Sequence, residues 1–171
     1  MEQPLDLTAA EAVIKKLLAA EVETIAVCLL NSYLNPSHER QLGRLIASVA
    51  PQEIVCLSCD VHPEIREYER TSTAVVSAYV QPVVSHYLAR LQERLRETGY
   101  RRDLLVMQSN GGMMSAEAAR AFSVNTILSG PAGGVIAATR IAAESGSKHV
   151  IAYDMGGTSL DVSLVVDGEP A

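Results

Sequence analysis

Tryptophan is absent and phenylalanine occurs once among the 171 residues. A core without large rings has to be filled by aliphatic side chains. Apolar residues make up 48% of the chain, enough for one sizeable domain or two small ones. A globular chain of this size buries roughly 70% of the surface its unfolded form exposes. Positive charge is scarce as well, with a formal net charge of −6. Binding to nucleic acid wants a basic face to meet phosphates, so that class of partner is excluded. No apolar run reaches the ~20 residues that cross a bilayer. Residues 1–7 lack the basic and apolar regions of a signal peptide. The expectation is a soluble, cytoplasmic protein with no membrane partner.

Cysteine is sparse, and the count is odd: Cys28, Cys56 and Cys59. A disulfide framework does not fit that pattern. Cys56 and Cys59 form a C-x-x-C with His62 three residues on, but a structural zinc site usually needs four ligands. No second C-x-x-C exists, and His38, His86 and His149 are scattered. A redox C-x-x-C opens a helix, whereas residues 54–57 read as a strand. Ordinary buried thiols are favoured over metal or redox work.

What is present reads as alternating helix and strand. Thr8-Ala9-Ala10-Glu11 has capping-box spacing and opens a helix with Val13, Leu17 and Leu18 on one face. Residues 23–30 are β-branched and continuously apolar, as in a strand buried on both sides. Asn35-Pro36 resembles an N-cap followed by Pro at the first helical position. The helix after it runs to about Ala50, with Leu42, Leu45 and Ile46 inward. Residues 53–57 form another strand. This order implies a parallel sheet with crossover helices, the α/β class.

Residues 63–72 are dense in charge. One reading is a solvated helix start; the other is a polar patch at a cleft. Residues 72–98 predict a long helix that Pro82 should kink or interrupt, with Val84, Leu88, Leu91 and Leu95 along one face and Gly99 as a stop. Residues 104–108 form a strand that ends in the tight turn Ser109-Asn110-Gly111-Gly112. Ser115 caps a short helix from Ala116 to Arg120.

The last third changes texture. Small residues dominate a helix from Pro131 to about Glu144, which Ser145-Gly146-Ser147 ends. Strands at residues 149–153 and 160–166 flank Asp154-Met155-Gly156-Gly157-Thr158-Ser159. Paired glycines reach φ > 0 without steric cost and let backbone N–H groups approach an anion as a concave nest. Thr158 and Ser159 add hydroxyl donors. Asp154, at the end of a buried strand, would hold a nucleotide's Mg²⁺, usually through water; Asp161 would do the same or orient a water. The alternative is a hairpin that uses Gly-Gly merely to turn. Asp167-Gly168 is a hairpin signal, with no partner strand expected after it.

The stretch from Ser129-Gly130-Pro131-Ala132-Gly133-Gly134 to Asp154-Met155-Gly156-Gly157-Thr158-Ser159-Leu160-Asp161 resembles the hydantoinase A/5-oxoprolinase family. The acetone carboxylase β-subunit is similar, and more distantly the sugar kinases, heat-shock chaperones and actin. EIREYERTST (residues 64–73) and QSNGG (residues 108–112) look like family-specific stretches. The resemblance implies a ribonuclease-H-like, actin-like ATPase fold. Residues 1–127 would be the C-terminal part of the family's N-terminal region, and residues 128–171 the start of the hydantoinase A domain.

By the same resemblance, Asp154 is the metal-associated carboxylate of the second phosphate loop. Gly156, Gly157 and Thr158, with Ser159, cradle phosphates, and Asp161 is the second acid. Gly130, Gly133 and Gly134 form the connecting helix at the hinge. The cofactors implied are ATP and Mg²⁺. Cys56 and Cys59 stand where the family often has Ser or other small residues, which supports inert thiols. The family's first phosphate loop, D-x-G-G-T-x-T-D, does not occur before Asp154. The expectation is therefore an internal fragment, inactive by itself.

In full-length relatives ATP would drive opening of a cyclic amide, by phosphorylating its oxygen to make a better electrophile for water. That is positioning plus charge neutralisation. Glu64, Arg66, Glu67 and Arg70 are the acid–base candidates if their patch faces a cleft. A hydantoinase B-type subunit is an implied partner. The rival readings are a non-catalytic actin-like or chaperone-like ATPase module and an acetone carboxylase-type subunit.

Overall fold

In a computed structural model of the chain, residues 3–171 are described. They gather into two units. The first holds the chain up to Arg94 together with Arg120–Val124, and the second holds Leu95–Ala119 with Asn125–Ala171.

In the first unit, helix α1 spans Leu7–Ala19 and is capped by Asp6, whose carboxylate accepts the Ala9 N–H at 3.0 Å. This corrects the capping box expected at Thr8: a cap precedes the first helical residue, and Thr8 already lies inside the helix. Val13 is also corrected, being 56% exposed, while Ile14 is 4% exposed. The buried stripe runs through Ile14, Leu17 and Leu18. Strand β1 (Thr24–Val27) and strand β2 (Ile54–Leu57) pair in parallel, Thr24 opposite Ile54 and Val27 opposite Leu57. Helix α2 (Ser37–Val49) connects them. The Asn35 side chain accepts the Ser37 N–H at 3.2 Å, and Pro36 takes the cap position, so the helix starts one residue later than the sequence implied.

β1 is buried at alternate residues only, not on both faces. Ile25 and Val27 meet Ile14 and Ile46 in the core, with Leu42 and Leu45 packed against them. Burying a side chain of this kind stabilises by about 1.5–3 kcal/mol. Helix α3 (Ser58–Val61) follows β2 directly. Helix α4 runs 31 residues, Glu67–Glu97, unbroken through Pro82. Leu88 is the buried member of its expected apolar face. Gly99, at φ +88°, ends it, and the Tyr100 N–H returns to the Leu95 carbonyl at 2.9 Å.

In the second unit, strands β3 (Leu105–Met107) and β4 (Met113–Ser115) form an antiparallel hairpin. Ser115 Oγ accepts the Ala118 N–H at 3.1 Å and so caps helix α5, Ala116–Ala121. The end of α5 and the first half of a short 3₁₀ turn, Ser123–Thr126, belong to the first unit. Helix α6 spans Ser129–Glu144, entered through Leu128 at φ 60°. Strands β5 (Val150–Met155), β6 (Leu160–Val166) and β7 (Glu169–Pro170) make an antiparallel sheet in that order. The expected lack of a strand after Asp167-Gly168 is thus corrected. Both turn residues have positive φ, 54° and 84°, and β7 pairs Glu169 with Val166.

The period of two sorts this sheet. Val150, Ala152, Asp154, Asp161, Ser163 and Val165 share one face, on which α6 packs, and Val165 is 1% exposed there. Ile151, Tyr153, Met155, Leu160, Val162 and Leu164 share the other face and are all exposed.

Candidate functional site

Asp154 and Asp161 are directly opposed across β5 and β6. Sequence reading put Asp154 at the end of a buried strand; instead β5 continues to Met155, and Asp154 is an exposed ladder residue. The hairpin closes through the Gly156 N–H, which donates to the Ser159 carbonyl at 3.0 Å. That amide is engaged in the turn and does not face an anion. The amides of Gly157 and Thr158 make no hydrogen bond to another described residue. A Cβ placed on Gly157 would meet nothing within 4 Å, so the space beside it is open.

Between this hairpin and α6 lies a pocket of about 180 Å³ whose lining includes Pro131, Gly134, Asp154, Asp161 and Ser163. The two segments the sequence singled out therefore meet at one place. Gly134 and Gly130 have open space where a Cβ would stand, while Gly133 faces the Met107 side chain at an ordinary 3.7 Å.

The QSNGG stretch steers α6 from the other side. Its hairpin is closed by the Gln108 N–H on the Gly112 carbonyl at 2.8 Å, with Gly111 at φ +83°. Any side chain at Gly111 would press on Ile136 of α6, since a Cβ there comes within 3.2 Å of it. The Ser109 N–H and hydroxyl both donate to the Asn125 carbonyl, at 2.7 and 2.8 Å, and the hydroxyl also reaches Ile127. The chain entering α6 is thereby pinned just before its left-handed residue Leu128.

The arrangement fits magnesium nucleotide on its donor chemistry. Two carboxylates and two hydroxyls are hard oxygen ligands, and free amides favour phosphate. No group of three or more His, Cys, Asp or Glu able to hold a metal occurs among the described residues.

The charged stretch at residues 63–72 divides. Glu64, Arg66 and Glu67 are exposed, and Arg66 pairs with Glu69 at 3.2 Å. Arg70 is fully buried. Its Nε donates to Ser58 Oγ at 3.2 Å, Nη1 to the Glu64 carbonyl at 2.8 Å and Nη2 to the Leu29 carbonyl at 3.0 Å. The guanidinium also lies 5.6 Å from the Tyr33 ring centroid.

Sequence reasoning missed the other half of this network, Glu39, which is also fully buried. Its Oε1 accepts the Leu29 N–H and the Ser58 hydroxyl, each at 2.7 Å, and its Oε2 accepts the Cys59 N–H at 2.8 Å. Burial by itself would raise the Glu39 carboxyl. The bonds from the Cys59 and Leu29 amides, Ser58 and the Cys59 thiol outweigh it, and the group is held below its ordinary range. The available signal was position: Glu39 lies three residues before Leu42 and seven before Ile46, on the apolar face of α2.

Cys56 and Cys59 are buried and Cys28 is half-buried. All three are free, and Cys56 donates to Gln81 Oε1 at 2.8 Å. Burial, with the Glu39 and Asp60 carboxylates beside it, pushes the Cys59 thiol up to about 12. Burial raises Cys28 and Cys56 as well.

Known proteins resemble this chain in sequence and fold. The hydantoinase/oxoprolinase family pattern matches residues 70–171, and the pattern of that family's N-terminal region matches residues 1–50. The caprolactamase subunit alpha of Pseudomonas jessenii is 39% identical over 165 residues, which is 96% of this chain and 24% of that one. The crystal structure of ATP-dependent caprolactamase from the same organism superposes with a TM-score of 0.85 at 39% identity, covering 95% of this chain and 23% of that one. The nucleotide-free structure of acetone carboxylase, from work on ATP-dependent acetone carboxylation, gives 0.86 at 34% identity, over 97% and 24%. The chain thus spans about a quarter of the length of these relatives. With one pattern covering more than half its residues and both ends matched, the chain belongs to the hydantoinase/oxoprolinase family.

Proposed function

We propose that this chain is part of an ATP-dependent hydrolase that opens cyclic amides, built on a ribonuclease-H-like, actin-like ATPase fold. The observation that carries the reading is the pocket under α6 where Asp154 and Asp161 oppose each other beside Gly134, in a chain of this family.

Asp154 would hold Mg²⁺ through water, with Asp161 as second acid. The Gly157 and Thr158 amides and the Thr158 and Ser159 hydroxyls would receive phosphate oxygens, while Gly156 shapes the turn. Bound Mg²⁺ would supply neutralisation of charge developing on the phosphates. Open space at Gly130 and Gly134 lets a ligand approach the helix closely. Glu64, Arg66 and Glu67 are the exposed acid–base candidates. Arg70 positions their segment by holding the Glu64 carbonyl. The chain spans about a quarter of its relatives' length, and we propose that the 171 residues alone turn over no substrate.

The named relative is a subunit, which supports a partner of the hydantoinase B type. Among the described residues no helix is long and apolar enough to cross a membrane. We place the protein in the cytoplasm. An acetone carboxylase-type activity is the second reading, favoured by the TM-score of 0.86 to that enzyme.

The test is ADP release by the full-length protein with Mg-ATP. Caprolactam, hydantoin and 5-oxoproline are compared with acetone plus bicarbonate. Lactam-dependent ADP release with a ring-opened product supports the hydrolase. Release with acetone and bicarbonate alone supports the carboxylase reading.

A further inference from the structure

Burying a carboxylate and a guanidinium costs desolvation at both groups, and apolar side chains of the same volume often serve stability as well. Glu39 and Arg70 are fully buried all the same. Their contacts are directional. Glu39 accepts from the Leu29 N–H, the Ser58 hydroxyl and the Cys59 N–H. Arg70 can only donate, because a guanidinium has no acceptor. Ser58 must therefore accept from Arg70 Nε and give its own proton to Glu39. That order fixes the guanidinium fork, with Nη2 on the Leu29 carbonyl and Nη1 on the Glu64 carbonyl. The Tyr33 ring flanks the same group.

The bond to Glu64 reaches out of the core. Glu64 sits in a tight turn, its N–H on the His62 carbonyl at 2.7 Å. Its carboxylate lies 3.6 Å from His62 Nε2. The neighbouring acids are matched differently: Glu69 faces Arg66 and Glu67 faces Arg70, each a permanent cation. An imidazole and a carboxylate can pass a proton near neutral pH, whereas a guanidinium cannot give one up. The buried junction thus holds the turn of this patch whose side chains suit proton transfer.

We propose that Glu39 and Ser58 are positioning residues. Through Arg70 they hold the turn that sets Glu64 against His62, and this pair carries the acid–base work of the patch. The role of the pair rests on the reading of Glu64 as an acid–base group. The path from Glu39 to the Glu64 backbone rests on the hydrogen bonds alone. A reacting group misplaced by about 1 Å can lose about a hundredfold in rate, and a slackened turn would have that effect.

The experiment uses the full-length protein and three network variants, Ser58→Ala, Glu39→Gln and Arg70→Lys. Ile46→Val serves as a core control outside the network. Gln at position 39 would turn an amide donor toward donors, Ala at 58 removes the link, and Lys at 70 keeps the charge but loses the fork. One arm follows hydrogen–deuterium exchange of the backbone at residues 62–66. The other measures kcat and KM for lactam-dependent ADP release, in the parent and in a Glu64→Gln background. Exchange at 62–66 should be about tenfold faster in the network variants and unchanged in Ile46→Val. The network variants and His62→Asn should each lose about tenfold in kcat, with KM for Mg-ATP unchanged. In the Glu64→Gln background none of them should lower kcat further, since all act through the same group.

Parent-like exchange at 62–66 in the folded network variants overturns the positioning. So does an equal further loss of kcat in the Glu64→Gln background, or a like loss in Ile46→Val, since either marks a merely structural role. Parent-like kcat in His62→Asn removes His62 from the pair. If Glu64→Gln itself keeps the parent kcat, the acid–base reading of the patch falls and the proposed role of the pair falls with it. If the protein releases no ADP with any lactam, the hydrolase reading falls, and the exchange arm decides the positioning by itself.

Discussion

Glu39 and Arg70 are both fully buried, and a single hydroxyl joins them. Ser58 Oγ donates to Glu39 Oε1 at 2.7 Å and accepts from Arg70 Nε at 3.2 Å. The Ser32 hydroxyl lies 3.1 Å from the same oxygen. Through this junction four separate pieces of the first unit are tied: the start of α2, the chain at Leu29, α3 and the start of α4.

Breaking the junction should cost more than any surface change. Glu39→Ala leaves the buried Cys59 amide and the half-buried Leu29 amide without an acceptor, at about 1–3 kcal/mol for a buried group. A loss of about 3 kcal/mol, read as a shift of the urea midpoint, is expected. Glu11→Ala removes the exposed pair with Lys15 and should change the midpoint by less than about 0.5 kcal/mol.

The same carboxylate sets an acid limb. Its folded pKa lies below its unfolded value. The stability it contributes is present above the ordinary Glu value of about 4.3 and is lost as pH falls through the depressed folded value. Urea midpoints of the parent should fall more steeply below pH 4 than those of Glu39→Gln. Parallel curves would remove Glu39 from the account.

The thiols should behave in the opposite sense. With Cys59 pushed up to about 12, its contribution is whole below the unfolded thiol value and disappears as pH rises toward that figure. Ellman's reagent at pH 8 should react far more slowly with the folded protein than with the chain in urea.

At the far hairpin, Gly168 sits at φ +84° between β6 and β7. Gly168→Ala would force a Cβ into the left-handed region, at about 1 kcal/mol. A shift of the thermal midpoint by a few degrees is the expected readout.

Much of this was legible in the chain because local chemistry agreed with the fold. The β-branched runs at β1 and β2, the stop at Gly99 and the Asp167-Gly168 turn each act through their immediate neighbours. Val13 misled because several phases of a short apolar helix satisfy the same period, and packing against Ile25 and Ile46 chose Ile14; Thr8 misled because Asp6, two residues earlier, takes the cap. Glu39 was invisible as a functional or structural centre because its partners lie 10, 19 and 20 residues away. At the candidate site the sequence named Asp154 and Asp161. That they oppose each other follows only from the register of β5 on β6.

The central claim is that the Gly157–Thr158 bend and the Asp154–Asp161 pair receive a magnesium nucleotide. The direct test is calorimetric titration of the full-length protein with Mg-ATP, alongside Asp154→Ala and Gly157→Val. The account predicts at least tenfold weaker binding in both variants, each retaining the parent's circular dichroism. Parent-like affinity in both folded variants would contradict it.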